Sequence, residues 1–285
     1  MIRRLFSHGF SRAVTLSFDD GQGQDNRVLD ILRRYGLKGT FNLEGANPQN
    51  PAFTIYNGDS RAWDDSEDFR RTFRGMEIAS HTLHHPHLTE LSDEECFHEI
   101  KGDRDLLTQL ARTAVRGFAA PYGNFDDRVI GFLKAAGLAY NRTTIPTRGF
   151  TLPEDFYRWN PTGHFVEFIG PKGDDLIRSF CETQEELPCL YIWGHSFELA
   201  HIDCYSPERW QGVVKRWDFF EDLCRRISAL PDTWYATNIQ IVDYVQAMRR
   251  AHITPVRIEN SSDQTLYFEL DGQKTPVSPG ASLKL

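Results

Sequence analysis

Short apolar runs alternate with segments of helical periodicity along most of the chain. Apolar and β-branched runs bounded by polar or glycine positions predict strands, and apolar residues three and four positions apart predict amphipathic helices. The predicted strands are 13–18, 39–43, 76–80, 115–120, 138–143, 189–194 and 234–237. The predicted helices are 25–35, one that starts after Ser92, 126–136, one that starts at Pro207 and one that ends at Met248.

Strands that alternate with helices indicate a parallel α/β fold. The sequence contains neither a GxGxxG fingerprint nor a phosphate-binding P-loop, which favours a closed barrel over an open nucleotide-binding sheet. The active site of such a barrel lies at the carboxyl ends of its strands. Residues 44–72, rich in Asn, Pro, Gly and Asp, predict a long loop that could form a wall of a substrate groove.

The pattern changes near residue 252. From there short alternating runs are separated by Asp-Gly and Pro-Gly turns, which is typical of β-hairpins. We therefore predict a barrel domain over residues 1–251 and a small C-terminal β appendage over residues 252–285.

Composition narrows the class of protein. The net charge of -8 argues against a nucleic-acid partner, because such proteins favour a basic surface. No apolar stretch approaches the length of a membrane span, and no signal-peptide apolar region follows the N-terminus. The five cysteines form no CxxC pair and are expected to be reduced thiols. These features predict a cytoplasmic protein without a membrane partner.

The first predicted strand ends in two adjacent carboxylates, Asp19 and Asp20, followed by Gly21. Neighbouring side chains of an extended segment point to opposite sides, so the two acids can hold different roles. Surface turns also contain Asp-Asp-Gly, and this simpler interpretation stays open on these residues alone.

Four histidines follow the strand 76–80 within seven residues, at positions 81, 84, 85 and 87. Pro86 disfavours helical geometry at His85, so the cluster is expected in a turn. His81 and His85 could bind one metal with Asp20 as third ligand, and His84 and His87 then need no catalytic role. Imidazole and carboxylate suit Zn²⁺, and three protein ligands leave one position for water. Polar turn histidines without a metal are the alternative.

Two further predicted strands are followed by residues that indicate a functional site less specifically. Strand 115–120 leads into Pro121-Tyr122-Gly123, and strand 189–194 leads into His195. Taken separately, the first is an ordinary turn and the second a structural hydrogen-bonding histidine.

Together the four segments resemble the polysaccharide deacetylase family, also known as the NodB-homology group or carbohydrate esterase family 4. The matching segments are SFDDG (17–21), HTLHH (81–85), PYG (121–123) and LYIWGH (190–195). Their order is that of the family, and the resemblance covers about residues 10–250.

The resemblance implies a distorted (β/α)7 barrel and a metal-dependent hydrolase with metal-bound water as nucleophile. It implies Asp20, His81 and His85 as metal ligands, with Zn²⁺ preferred and Co²⁺, Ni²⁺ or Mn²⁺ as alternatives. It further implies Asp19 as general base and His195 as general acid. The oxyanion and substrate would be held at Pro121 and Tyr122.

Two features of the family pattern are missing. The arginine that usually precedes the proline of the third motif is absent, and Arg116 is expected to be out of register. The fourth motif, of Asp-x-x-Asp-Trp type, is also absent, and Trp159 in that part of the chain could form a pocket wall. No acid obviously orients His195, although Glu198 is a candidate. Without a carboxylate partner the pKa of His195 is expected at or below about 6.5.

We therefore predict an enzyme that removes acetyl groups from an N- or O-acetylated saccharide. A C–N hydrolase of a small non-sugar amide, similar to allantoinase, is the alternative enzyme. A non-catalytic carbohydrate-binding relative is the alternative outside enzymes.

Overall fold

The computed structural model describes residues 2–46, 66–200 and 207–285. Most of the predicted loop 44–72 and the cysteine Cys204 therefore lie outside the described residues, and so does Ser206. The last part of that predicted loop is a short helix, Ser66–Thr72, rather than irregular chain.

The described residues form twelve strands and eight α-helices. The strands are β1 Ile2–Leu5, β2 Arg12–Asp19, β3 Gly39–Leu43, β4 Glu77–Ser80, β5 Gly163–His164, β6 Cys189–His195, β7 Thr233–Tyr235, β8 His252–Thr254, β9 Arg257–Glu259, β10 Leu266–Leu270, β11 Gln273–Val277 and β12 Ser282–Lys284. The helices are α1 Asp25–Arg34, α2 Ser66–Thr72, α3 Asp93–Ala111, α4 Asp127–Ala135, α5 Gly170–Glu182, α6 Ser196–Leu199, α7 Arg216–Ser228 and α8 Asn238–Arg249.

The central sheet is parallel, with strand order β4-β3-β2-β6-β5, and β7 pairs with the first residues of β2. Strand β2 lies at its centre, and seven of its eight residues are buried. Parallel sheets are covered by helices on their outer side, which explains the continuous apolar run. The side chains of Phe18, Phe41 and Phe220 meet where α7 packs against this sheet.

Two predicted strands, 115–120 and 138–143, are reduced to isolated parallel bridges. Ser80 pairs with Phe118, Ala119 pairs with Arg142, and Arg142 pairs with Trp159. Pro121 has no N–H group and ends pairing for the first of them. These bridges continue the parallel order beyond β4, so the sheet curves on itself. Among the described residues the strands form no fully paired closed ring.

The C-terminal residues form two small antiparallel sheets, β1-β10-β11 and β8-β9-β12. The predicted hairpins are therefore present. Strand β1 pairs with β10 over four residues and was not predicted from the sequence. A strand from the N-terminus thus shares a sheet with two strands from the C-terminal residues.

No helix in the described part of the chain is both long and apolar enough to cross a membrane. Four cysteines, Cys96, Cys181, Cys189 and Cys224, are free thiols.

Gly194 permits the close approach of Phe165 to strand β6. A Cβ atom built at Gly194 would lie 1.9 Å from Cε1 of Phe165. Gly194→Ala is therefore expected to lower the free energy of unfolding by about 3 kcal/mol, because overpacked cores must displace neighbouring atoms. Gly131→Ala in α4 is the control. Its Cβ meets nothing within 4 Å, so the exchange should raise stability by about 0.5–1 kcal/mol. Urea unfolding measures both, and equal effects would contradict the packing argument.

Candidate metal and catalytic site

The sheet brings three of the four sequence motifs together at one edge. Asp19 ends β2 and is in register with His195, which ends β6. His81 follows β4 and donates its backbone N–H to the carbonyl of Leu43 at the end of β3. Because these strands are parallel, their carboxyl ends lie on the same side of the sheet.

Asp20, His81 and His85 form a compact set of metal-ligand atoms, all within 4.8 Å of one another. Nε2 of His81 lies 3.5 Å from Oδ1 of Asp20, and Nε2 of His85 lies 3.8 Å from the same oxygen. The two Nε2 atoms are 3.1 Å apart. One carboxylate and two imidazoles that converge in this way form a ligand set suited to a divalent cation.

The hydrogen bonds of the histidines agree with a ligand role. Nδ1 of His81 lies 2.8 Å from the carbonyl oxygen of Ala119, so it carries the proton and Nε2 offers its lone pair. Burial lowers the pKa of His85 to about 4, which leaves the imidazole neutral near pH 7. Burial raises the pKa of Asp20, but His195 and His81 outweigh it and hold that pKa well below its usual range. The residues therefore fit a metal.

The backbone around the cluster departs from ordinary strand geometry. Asp20, Thr82 and His85 have φ values of 79°, 70° and 57°. Positive φ at non-glycine residues is uncommon and concentrates at functional sites. At His85 the turn is held by a hydrogen bond from its N–H to Oγ1 of Thr82 at 3.0 Å.

Asp19 is bound by two side chains that the sequence analysis did not identify. A guanidinium N–H of Arg142 donates to Oδ2, and Nδ2 of Asn42 donates to Oδ1 at 2.7 Å. Burial raises the pKa of Asp19, but Arg142, followed by His81 and His195, lowers it below its usual value. Asp19 is therefore an ionised carboxylate in a buried environment.

Arg142 gives Asp19 a cationic partner from outside the third motif, which lacks an arginine before its proline. It is fully buried, and its guanidinium lies over the ring of Trp193, 4.5 Å from the centroid. The expectation that Arg116 is out of register agrees with the structure, since Arg116 pairs with Asp243 instead. Arg142 is a charged residue inside the predicted buried strand 138–143, and this feature of the sequence could have identified it as a residue with a buried acidic partner.

His195 has a carboxylate partner, and the expectation that it lacks one is wrong. Its Nδ1 lies 2.7 Å from Oε1 of Glu198, one turn along α6. Burial alone would lower the pKa of His195, but Asp20 and Glu198 raise it to about 9. The predicted value at or below about 6.5 is therefore corrected. The candidate Glu198 is the neighbouring acid, and it also contacts His164.

Other predicted site residues take different positions. Tyr122 is 58% exposed, and its ring meets that of His85 at 4.4 Å in an edge-on contact. Pro121 is buried in the same turn. Trp159 is 2% exposed and packs among Tyr140, Phe156 and Tyr191, which gives it a packing role in the core instead of the predicted pocket wall.

The two remaining histidines of the cluster do not join the ligand set. Nδ1 of His84 lies 2.8 Å from Oε1 of Glu99, and the side chain is 65% exposed. The ring of His87 stacks on Tyr122 with centroids 4.2 Å apart.

A buried acid, Asp103 of α3, binds residues next to the candidate metal ligands. It accepts hydrogen bonds from the hydroxyl of Ser80, from the N–H of His81 at 3.2 Å and from the N–H of Gly45 at 2.6 Å. It thus joins the ends of β3 and β4.

Two more buried acids lie near the site. Burial raises the pKa of Asp25 to about 8 and that of Glu44 to about 10, with Asp20 adding to both.

The fold and the site define an α/β protein with a candidate metal centre at the carboxyl edge of its sheet. The family model for polysaccharide deacetylases matches residues 9–141. A Mycobacterium smegmatis protein assigned to the polysaccharide deacetylases superposes with a TM-score of 0.59 at 16% identity, over 89% of this chain and 98% of the other. The chain is therefore similar to the polysaccharide deacetylase family over residues 9–141, and its fold is the α/β barrel type of the Mycobacterium smegmatis protein.

Curated relatives match about half of the chain at low identity. The peptidoglycan-N-acetylmuramic acid deacetylase of Bacillus subtilis is 26% identical over 125 residues, which are 43% of this chain and 24% of that protein. A chitooligosaccharide deacetylase of Sinorhizobium fredii is 27% identical over 144 residues, which are 50% of this chain and 61% of that protein. The matched region thus covers less than two thirds of either relative.

Proposed function

We propose that the protein is a metal-dependent hydrolase that removes acetyl groups from an acetylated saccharide. The observation that carries this proposal is the placement of an ionised Asp19 beside the cluster of Asp20, His81 and His85, with His195 on the adjacent strand end. Relatives named as deacetylases of peptidoglycan and chitooligosaccharides support the substrate class.

Asp20, His81 and His85 would hold the cation, for which we propose Zn²⁺. Such an ion, when bound, supplies a Lewis acid that lowers the pKa of a water molecule and opposes negative charge on an acyl oxygen. Asp19 would accept the proton of the attacking water. Arg142 and Asn42 each occupy one of its oxygens, and each carboxylate oxygen keeps a further lone pair for that proton.

His195 would donate a proton to the leaving amine or alcohol. Its Nδ1 lies against Glu198, so Nε2 is the nitrogen that would donate this proton. Against the effect of burial, Asp20 and Glu198 raise the pKa of this imidazole, which favours its protonated form. That is the state that a general acid needs before the bond breaks.

The turn around Tyr122 would complete the substrate site. We propose that the backbone N–H of Tyr122 helps to hold the acyl oxyanion, a contribution of about 3–4 kcal/mol per donor in other acyl-transfer enzymes. The stacked rings of Tyr122 and His87 offer an exposed aromatic surface beside the metal cluster. Such a surface suits the apolar face of a sugar ring and favours a saccharide over a small amide.

Loss of a ligand histidine is expected to remove the metal. His81→Ala or His85→Ala should release about one equivalent of divalent metal and abolish deacetylation of chitooligosaccharides or peptidoglycan fragments, because two ligands hold a cation weakly. Elemental analysis after dialysis, with acetate release as the second readout, measures both effects.

His84→Ala is the matched control, since His84 belongs to the same turn but binds Glu99 at the surface. It should keep both metal and activity. Full metal occupancy in His81→Ala and His85→Ala would contradict the ligand assignment. Bound metal in the wild-type protein without hydrolysis of any acetylated saccharide would contradict the enzyme and favour a carbohydrate-binding relative.

A further inference from the structure

His164 belongs to none of the four sequence motifs. Its side chain contacts Glu198 and lies near His195. It ends the short strand β5 and is in register with Trp193 of β6. Its side chain is 3% exposed. Nε2 lies 2.9 Å from Oε1 of Glu198, the same oxygen that lies 2.7 Å from Nδ1 of His195. A single carboxylate oxygen therefore joins two buried imidazoles.

The hydrogen bonds determine which nitrogen of His164 carries the proton. The backbone N–H of Val166 donates to Nδ1 at 3.3 Å, so Nδ1 is an acceptor. In a neutral imidazole the proton is then on Nε2, which donates to Glu198. Burial lowers the pKa of His164, in keeping with this neutral form.

Glu198 is held by these two imidazoles alone among the side chains of the described residues. Oε2 is buried and has no hydrogen-bond partner in the part of the chain that the structure describes. Burial raises the pKa of Glu198, but His164 and then His195 hold it below its usual range. The backbone carbonyl of Glu198 is fixed separately by a guanidinium N–H of Arg216 at 2.8 Å. The orientation of the carboxylate therefore depends on His164 as well as on His195.

We propose that His164 is a positioning residue that fixes the Glu198 carboxylate, and through it the orientation of the His195 imidazole toward the leaving group. This inference rests on the proposed function, in which His195 is the general acid. Without the bond from His164, the glutamate can rotate about its own side-chain torsions, and the acceptor of His195 Nδ1 is no longer fixed in position. Small displacements of a catalytic group can reduce a rate by about 10²-fold.

The three residues also satisfy the distance criterion for a metal cluster, since their ligand atoms lie within 4.8 Å of one another. The separations of 2.7 and 2.9 Å are those of charge-assisted hydrogen bonds, which favours the positioning role. A second equivalent of metal that is lost on mutation of His164 would overturn the proposal.

Two substitutions separate the contact with Glu198 from the contact with Val166. His164→Asn can still accept from the N–H of Val166, but its amide is too short to reach Glu198. His164→Gln extends an N–H donor to about the place of the imidazole Nε2. We expect His164→Asn to lower kcat on an N-acetylated saccharide about 10- to 100-fold, with KM and metal content unchanged, and His164→Gln to recover most of the loss.

The position of the proton gives a readout that needs no turnover. In the metal-free protein with ¹⁵N-labelled histidine, Nδ1 of His195 should show a protonated, hydrogen-bonded NMR signal. The signal should shift or broaden in His164→Asn and be retained in His164→Gln. An unchanged signal in His164→Asn would overturn the positioning role even if no substrate were turned over.

A double-mutant cycle distinguishes positioning from a general effect on the fold. In a His195→Ala background, the further exchange His164→Asn should change kcat less than about twofold, because the residue it positions is gone. A full additional loss would mean that His164 acts independently of His195. Full activity of His195→Ala alone would instead contradict the proposed function, and the two failures are thus separable.

Discussion

Asp19→Asn is expected to lower kcat for deacetylation by about 10²–10⁴-fold while the metal and the fold are retained. The exchange is nearly isosteric, so the fold should be retained, at reduced stability because Asn42 and Arg142 both donate to the native carboxylate and the new amide N–H group accepts from neither. An amide cannot accept the proton of an attacking water at neutral pH. Acetate release under saturating substrate, with metal analysis on the same samples, measures the effect.

Asp20→Asn is the matched control for this experiment, because the two acids are neighbours in the chain but face different partners. Asp20 lies against His81 and His85, the two proposed ligands, so its exchange should weaken metal binding as well as activity. If Asp19→Asn released the metal and Asp20→Asn retained it, the assigned roles of base and ligand would be reversed.

The grouping of Asp20 with His81 and His85 could be predicted from the sequence because these residues follow strands that local patterns identify. Asp19 and Asp20 end an apolar run, and His81 follows another. The carboxyl ends of parallel strands lie at the same edge of the sheet. Residues that follow different strands can therefore be placed in one site from their side-chain chemistry alone. Neither pairing partners nor rotamers are needed for that inference.

The groups that hold Asp19 could not be predicted in the same way. Arg142 lies 123 residues from Asp19 in the sequence, and the two meet only through the parallel bridges that follow β4. The sequence shows a charged residue inside a predicted buried strand, which indicates that it has a partner. The periodicity of the chain does not show which residue that partner is. Asp103 gives a similar signal, because it lies on the buried side of α3 with Ile100 and Leu107.

The N-terminal strand shows a further limit of local patterns. Residues Ile2–Leu5 read IRRL, without alternation of apolar and polar side chains, and four residues carry little periodicity. They form a strand because β10 offers a pairing edge more than 260 residues later in the chain. Contacts of such sequence separation are a property of the tertiary fold.

Arg142→Met is expected to lower the free energy of unfolding by about 3–5 kcal/mol, since it leaves the buried Asp19 carboxylate without its cationic partner. Arg142 is fully buried and Asp19 is 2% exposed. Arg116→Met is the matched control. Arg116 binds Asp243 through two hydrogen bonds, but their side chains are 42% and 36% exposed. Exposed pairs contribute about 0–1 kcal/mol, so urea unfolding should separate the two variants clearly.

The loss caused by Arg142→Met should depend on pH in a direction that identifies Asp19 as its source. In the wild-type protein the pKa of Asp19 is lowered, so its ionised form stabilises the fold above the unfolded pKa of about 3.9. That contribution is lost as the pH falls through the lower folded pKa. Without Arg142, burial should raise the folded pKa above the unfolded one, and ionisation then destabilises the fold.

The difference in unfolding free energy between wild type and Arg142→Met should therefore be greatest near neutral pH and shrink as the pH falls toward about 4, measured on the metal-free proteins. The double variant Asp19→Asn with Arg142→Met should be more stable at pH 7 than Arg142→Met alone, because no buried carboxylate is left unpaired. A loss that is independent of pH, and that Asp19→Asn does not relieve, would show that Arg142 stabilises the fold through its packing on Trp193 and not through the base.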